Sequence, residues 1–384
     1  MSSTISLVDA KAALSDSTPL IIAQFGVQYH EDQIPLEKRK KVEDLRQHFT
    51  LGHGPGHVET TILPKRPEGT TPYHSTVVYR AYWFSSSDYD KWWQSPEVIK
   101  FWSELEPDAG VWREVMRVNP RRFMHATGGP KGTGISGVPE LSSVEYKDIG
   151  PEKKYWGRYR ERMIDYQTDG FESRFVTEAQ LQARKEKGDV PEPIAKKESV
   201  VLRDGIPHDK SSNESPAIHH GRVILSHGID NMFYAWEYQD YTRITDDERK
   251  VWKEHFNHFV HAWMKTLDED RNKHGVLSFR NVRAATPIND SLSLEADDQV
   301  HSQLVYYLDL SAFEYSGRTT RDHFKIRMTT EKYYKNPELF GAGKGGAQLS
   351  VEAAILKRDE FEAEYVGCSE GTGLMPYEDL FRRG

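Results

Sequence analysis

The chain of 384 residues carries a single cysteine, Cys368. One thiol can close no internal disulfide and cannot build a thiolate-rich zinc site, and it fits a reducing compartment. Basic blocks are missing too: 51 Lys and Arg stand against 59 Asp and Glu, for a formal net charge of −8. That balance supports neither a nucleic-acid groove nor an anionic membrane surface. No apolar run approaches the ~18 residues of a spanning helix. Residues 1–18 are mixed polar and small, without the basic stretch and apolar run of a secretory leader. The expectation is a soluble, cytoplasmic protein whose partner is a small molecule, with no nucleic acid and no membrane. A homodimer stays open.

What the chain does have is aromatic bulk. Nine Trp, nineteen Tyr and sixteen Phe supply large apolar bodies for a core in an otherwise polar sequence. Strand-like content covers residues 20–29, 57–63, 74–84 and 111–118, and helical spacing covers 35–49, 86–93 and 97–102. The order is strand, helix, two strands, helix, strand, a ferredoxin-like unit. The order recurs later, with strands at 222–225, 231–238, 276–284, 300–308, 348–356 and 361–367. A long helix at 246–272 carries the stripe Trp252, Phe256, Phe259, Trp263 and Leu267. Residues 168–217, rich in Lys, Glu, Pro and Ser, read as a polar excursion or lid. The predicted fold class is α+β: tandem ferredoxin-like units at 1–150 and 151–384, forming a pseudo-dimer of the dimeric α/β-barrel type. Antiparallel sheets pair within it and helices lie outside. Such a pair offers a concave, helix-roofed pocket.

Several residues carry chemistry. Thr320 suits a helix N-cap, its hydroxyl accepting from a backbone N–H two or three residues on. The helix it opens has Asp322 in its first turn and His323 on a partly apolar face with Ile326, Thr330, Tyr333 and Tyr334. Imidazole is a common metal and haem-iron ligand, although a lone helix histidine is ordinarily a structural one. His255, His258 and His261 recur at steps of three but flank the polar side of an aromatic stripe, which favours a solvated face. His53 and His57 flank a Gly-Pro-Gly turn, and His219 and His220 end the polar excursion; surface placement is the default for both pairs. Arg158, Arg160 and Arg162 crowd one turn and a half, where guanidinium forks could bind an anion or simply face solvent. Glu237 stands in an aromatic strand on the face of Phe233 and Ala235. It either points to solvent or lines a pocket with a raised pKa. Residues 341–346 (GAGKGG) lack phosphate-loop spacing and read as a flexible loop.

Longer words then carry a resemblance. Residues 23–28 (AQFGVQ), 54–58 (GPGHV), 81–83 (AYW), 95–98 (SPEV) and 101–102 come first. After them stand 155–157 (YWG), Arg160-Glu161-Arg162, Asp230-Asn231, Gln239-Asp240, 365–368 (YVGC) and 371–373 (GTG). In this order and spacing the chain resembles the haem-containing aldoxime dehydratases, nearly end to end. The resemblance implies a tandem ferredoxin-like barrel with ferrous haem b in one half. It implies His323 as proximal iron ligand, since Arg321-Asp322-His323 falls on the family's ligand word, and Arg162 as the catalytic arginine. Two positions depart. The family's distal serine matches Glu237, and its distal histidine matches Val351, or Ser350 because the alignment is loose there. The implied reaction is loss of water from an aldoxime, bound to iron through nitrogen, to give a nitrile. That step needs an acid beside a poor leaving group. Either Glu237 supplies that acid, or the protein is a divergent haem enzyme using Glu237 in oxygen- or peroxide-dependent chemistry.

Overall fold

A computed structural model describes residues 10–14, 20–29, 34–63, 75–127, 136–140, 144–148, 159–188, 196–203, 217–288, 293–336, 338–341 and 345–384. Its strands are β1 (Ala10–Ala13), β2 (Leu20–Tyr29), β3 (His57–Leu63), β4 (Ser75–Trp83), β5 (Val111–Val118), β6 (Phe123–Thr127) and β7 (Glu145–Asp148). Then follow β8 (Phe175–Thr177), β9 (Glu198–Val200), β10 (Arg222–Leu225), β11 (Met232–Asp240), β12 (Val276–Ile288), β13 (Ser293–Tyr307), β14 (Gln348–Leu356) and β15 (Phe361–Val366). The helices are α1 (Leu36–His48), α2 (Ser86–Trp93), α3 (Pro96–Ser103), α4 (Tyr159–Arg162), α5 (Glu178–Glu186) and α6 (Asp246–Val251). They continue with α7 (Asn257–Glu269), α8 (Arg271–His274), α9 (Leu310–Thr319), α10 (Arg321–Tyr334) and α11 (Glu378–Arg383).

Thirteen strands form one antiparallel sheet in the order β10-β15-β5-β2-β4-β3-β12-β13-β11-β14-β6-β1-β7. Within it, β5-β2-β4-β3 and β14-β11-β13-β12 repeat one arrangement: the fourth, first, third and second strands of each half lie side by side. The halves meet edge to edge where Arg283 and Ala284 of β12 pair with Ile62 and Thr61 of β3. The expected barrel is corrected here: the order has two ends, and no pairing among the described residues closes it. The halves also exchange strands. β6, from the first, pairs with β14, and β15, from the second, pairs with β5.

Strand alternation divides the two faces. On β2, Ile21, Ala23, Phe25 and Val27 face α1–α3 and pack with Phe49, Trp83, Trp92 and Trp102. The opposite face, with Leu20 and Ile22, joins a core shared with Tyr234, Trp236 and Tyr238 of β11. Each such side chain, fully buried, contributes about 1.5–3 kcal/mol. Contacts across that core include Gln24 Nε2 donating to Tyr306 Oη at 3.4 Å and the buried ion pair of Arg80 with Glu352. The other face of β11 is thereby left to the helices that follow it in sequence.

The long helix is interrupted. Trp252–Phe256 form a π-helical turn between α6 and α7, and the last helical residue of α7 is Glu269, short of the expected 272. Trp252, Phe256 and Leu267 are buried as the periodicity requires. Within 168–217, the described stretches 168–188 and 196–203 are less irregular than their polarity suggests. Thr177 and Gln180 close a reciprocal capping box that starts α5, and β8 pairs with β9 in parallel.

Candidate active site

Strand β11 presents Phe233, Ala235, Glu237 and Gln239 toward the helices. In register, Glu237 faces Gln303 of β13 and Val351 of β14. Opposite stand α7 and α10. Between them and the sheet lie two cavities with empty volumes of about 520 and 670 Å³, counting space open to solvent. Both are lined by Glu237, Trp263, Gln303 and His323, so they are lobes of one crevice. The smaller lobe is aromatic, with Tyr159, Phe279, Tyr307 and Phe313. The larger ends on Gln239, Arg327, Thr330 and Ser350.

His323 is positioned by the corner between two helices. Asp309 caps α9, its carboxylate accepting from Ala312 N at 2.8 Å. Gly317 lies in the last turn of α9, where carbonyls lack partners within the helix. His323 Nδ1 meets Gly317 O at 2.7 Å. A carbonyl can only accept, so Nδ1 carries the hydrogen and the lone pair falls on Nε2. Burial holds the His323 pKa below its usual value, against the Gly317 bond. The result is a neutral imidazole with its second nitrogen anchored, the pattern of metal-ligating histidines. Trp263 lies beside it with ring centroids 4.8 Å apart. Thr320 does occupy the N-cap of α10, but its buried hydroxyl makes no cap bond, contrary to expectation.

Glu237 faces the same crevice. Tyr159 Oη donates to its Oε1 at 2.8 Å. Burial pushes the carboxyl up to about 7, and the Tyr159 bond opposes that rise. Tyr159 stacks on Phe313 at 5.0 Å and on Phe233 at 6.1 Å. The next residue, Arg160, ties α4 to α9 through Glu314 at 3.1 Å and Ser311 at 3.2 Å.

The remaining sequence candidates fall elsewhere. Arg162 ends α4 half-buried and is not among the residues lining either lobe, while Arg158 lies outside the described residues. Val351 is fully buried opposite Glu237. Ser350 lines the larger lobe, but its hydroxyl donates to Thr127 Oγ1 at 2.7 Å. His255, His258 and His261 are exposed, as are His219 and His220. His53 pairs with Asp88 at 2.9 Å and His57 with Glu59 at 3.0 Å. No group of three His, Cys, Asp or Glu side chains gathers for a metal ion among the described residues. Residues 342–344 lie outside them. Sequence reasoning missed the roles of Tyr159, Gln303, Phe313 and Gly317. Contacts made across tens of residues leave no local signal.

The donor set fits haem: one neutral imidazole on a helix, facing an apolar and aromatic crevice. The model of the haem-containing dehydratases matches residues 23–374. The chain belongs to that family. Its similarity to a phenylacetaldoxime dehydratase of Bacillus sp. (strain OxB-1) is 21% identity over 367 residues, covering 94% of this chain and 88% of that one. An aldoxime dehydratase solved with butyraldoxime is similar in fold, with a TM-score of 0.72 at 19% identity over 96% of this chain and 89% of that one. A second aldoxime dehydratase structure gives 0.71 at 19% identity over 97% and 92%. Membership makes this haem-containing dehydratase a haem-dependent lyase-type enzyme with haem as its cofactor. Among the described residues no helix is long and apolar enough to cross a membrane.

Proposed function

We propose that this protein is a haem b-dependent lyase that dehydrates an aldoxime to a nitrile, with His323 as the proximal ligand. The observation carrying this reading is the pair of His323 and Glu237, which line both lobes of one crevice. When bound, ferrous haem supplies an iron that takes the oxime nitrogen. The chain's own work is proton transfer. Glu237, its pKa raised by burial to about 7, donates from its protonated form to the oxime hydroxyl, which leaves as water once protonated. The carboxylate so formed then takes the proton from the oxime carbon. One water is lost, the nitrile forms, and no electron is exchanged with an outside partner. Arg162 matches the family's arginine and is kept as the candidate that orients the hydroxyl, although it lines neither lobe. The repeated strand order supports two ferredoxin-like units at 1–150 and 151–384, interleaved through β6 and β15.

The test is anaerobic. Reduced, haem-loaded protein should convert arylaliphatic or alkyl aldoximes to nitriles, and His323→Ala should lose the five-coordinate haem spectrum. A good Soret band without nitrile from any aldoxime refutes dehydration. A carboxyl on the distal wall also suits oxidant-dependent chemistry, and turnover that requires oxygen or peroxide would select that alternative.

A further inference from the structure

The Glu237 side chain has one hydrogen-bond partner among the described residues, and that partner is unusually well held. Tyr159 is itself buried, packed in a cluster with Phe313 and Phe233, and its helical turn is tied to α9 by Arg160. Its hydroxyl occupies Oε1. A carboxyl with one oxygen occupied by a donor carries its own proton on the other. We propose that Tyr159 is a positioning residue, whose hydroxyl fixes the Glu237 carboxyl so that Oε2 alone presents the proton to the crevice.

The proposal rests on the lyase reading above and refines its acid. The groups facing Glu237 are few. Tyr159 comes from α4, Tyr307 from β13, and His323 and Arg327 from α10. β14 and α7 present Leu349, Val351 and Trp263, none of which titrates. A hydrogen bond donated to a carboxylate favours the ionised form. Removing the Tyr159 hydroxyl therefore moves the ionisation of Glu237 to higher pH.

The experiment is a pH titration of the carbon monoxide stretch of ferrous, haem-loaded protein, a readout separate from turnover. Wild type should show a transition near neutrality, and Glu237→Gln should lack it. Tyr159→Phe keeps the ring stack and should move the transition up by about one pH unit, the size of one hydrogen bond. Phe313→Leu loosens the stack but keeps the hydroxyl, and should move it the same way by less, which covers the case of a poorly folded Tyr159→Phe. If Glu237→Gln removes the transition while both other variants titrate like wild type, the positioning role is overturned and the acid stands. If Glu237→Gln leaves the transition intact, the acid reading itself fails.

Discussion

Glu237 and Glu352 stand on adjacent strands, one residue out of register, and face opposite sides of the same sheet. Glu352 enters the shared core, where Arg80 forms its ion pair, Tyr82 donates to it at 2.9 Å and Ser136 also bonds it. Arg80 in turn lies 4.1 Å from the centre of the Trp236 ring. Glu237 enters the crevice, where among the described residues a tyrosine is its side-chain partner and no cation bonds it. A buried carboxylate surrounded by donors and a cation serves architecture. A half-buried carboxyl in an apolar crevice, without a cation, is held near the point where it can give up or take a proton. Glu352 is fully buried and Glu237 half-buried in the crevice wall; the partner decides the use.

That contrast can be broken by mutation. The largest effect is expected at Glu237→Gln, which should lower nitrile formation by ~10²–10⁴-fold, the range for one general acid, with a denaturation midpoint close to wild type. A parallel loss of stability would make Glu237 architectural. Arg80→Met should do the reverse, leaving Glu352 as an uncompensated buried charge and costing about 3–5 kcal/mol in urea unfolding. An unchanged midpoint would show that the core ion pair is dispensable. The smallest effect is the pH response. The folded-state pKa of Glu237 is raised above the ordinary ~4.3 to about 7. Its contribution to stability is then full below the unfolded value and is lost as pH rises through about 7. The acid form falls over the same window. Turnover at pH 8 should be about tenfold below its acidic plateau, and this decline should vanish in Glu237→Gln.

Much of the fold was legible because it rests on local rules. β2, β11 and β14 announce themselves by aromatic and β-branched content, and α7 by Trp263 and Leu267 at helical spacing. The same rules placed Glu237 on the face of Ala235, where both line the crevice. Four things were not legible. β8, α5 and β9 are polar enough to hide from hydropathy, although the Thr177-to-Gln180 spacing is a capping-box signal that could have found α5. The pairing of β6 with β14 depends on distant edges and carries no sequence mark. Tyr159 is 78 residues from its partner, Glu237, so no window could join them. His323 was legible as a helix residue, while the Gly317 carbonyl that sets its tautomer depends on the angle between α9 and α10.

The strand exchange has a consequence for how the chain is made. β6 leaves the ribosome early, yet its partner β14 begins about 220 residues later. At ordinary synthesis rates that interval is on the order of 10–40 s. Throughout it the edge of β6 that will accept β14 stays open, a surface that unrelated strands could capture. The crevice, built on β11 with β14 beside it, cannot be completed any sooner. Completion of the proposed haem crevice is therefore an event of the finished chain, and a truncation before β14 would take Leu349 and Ser350 from the wall of its larger lobe.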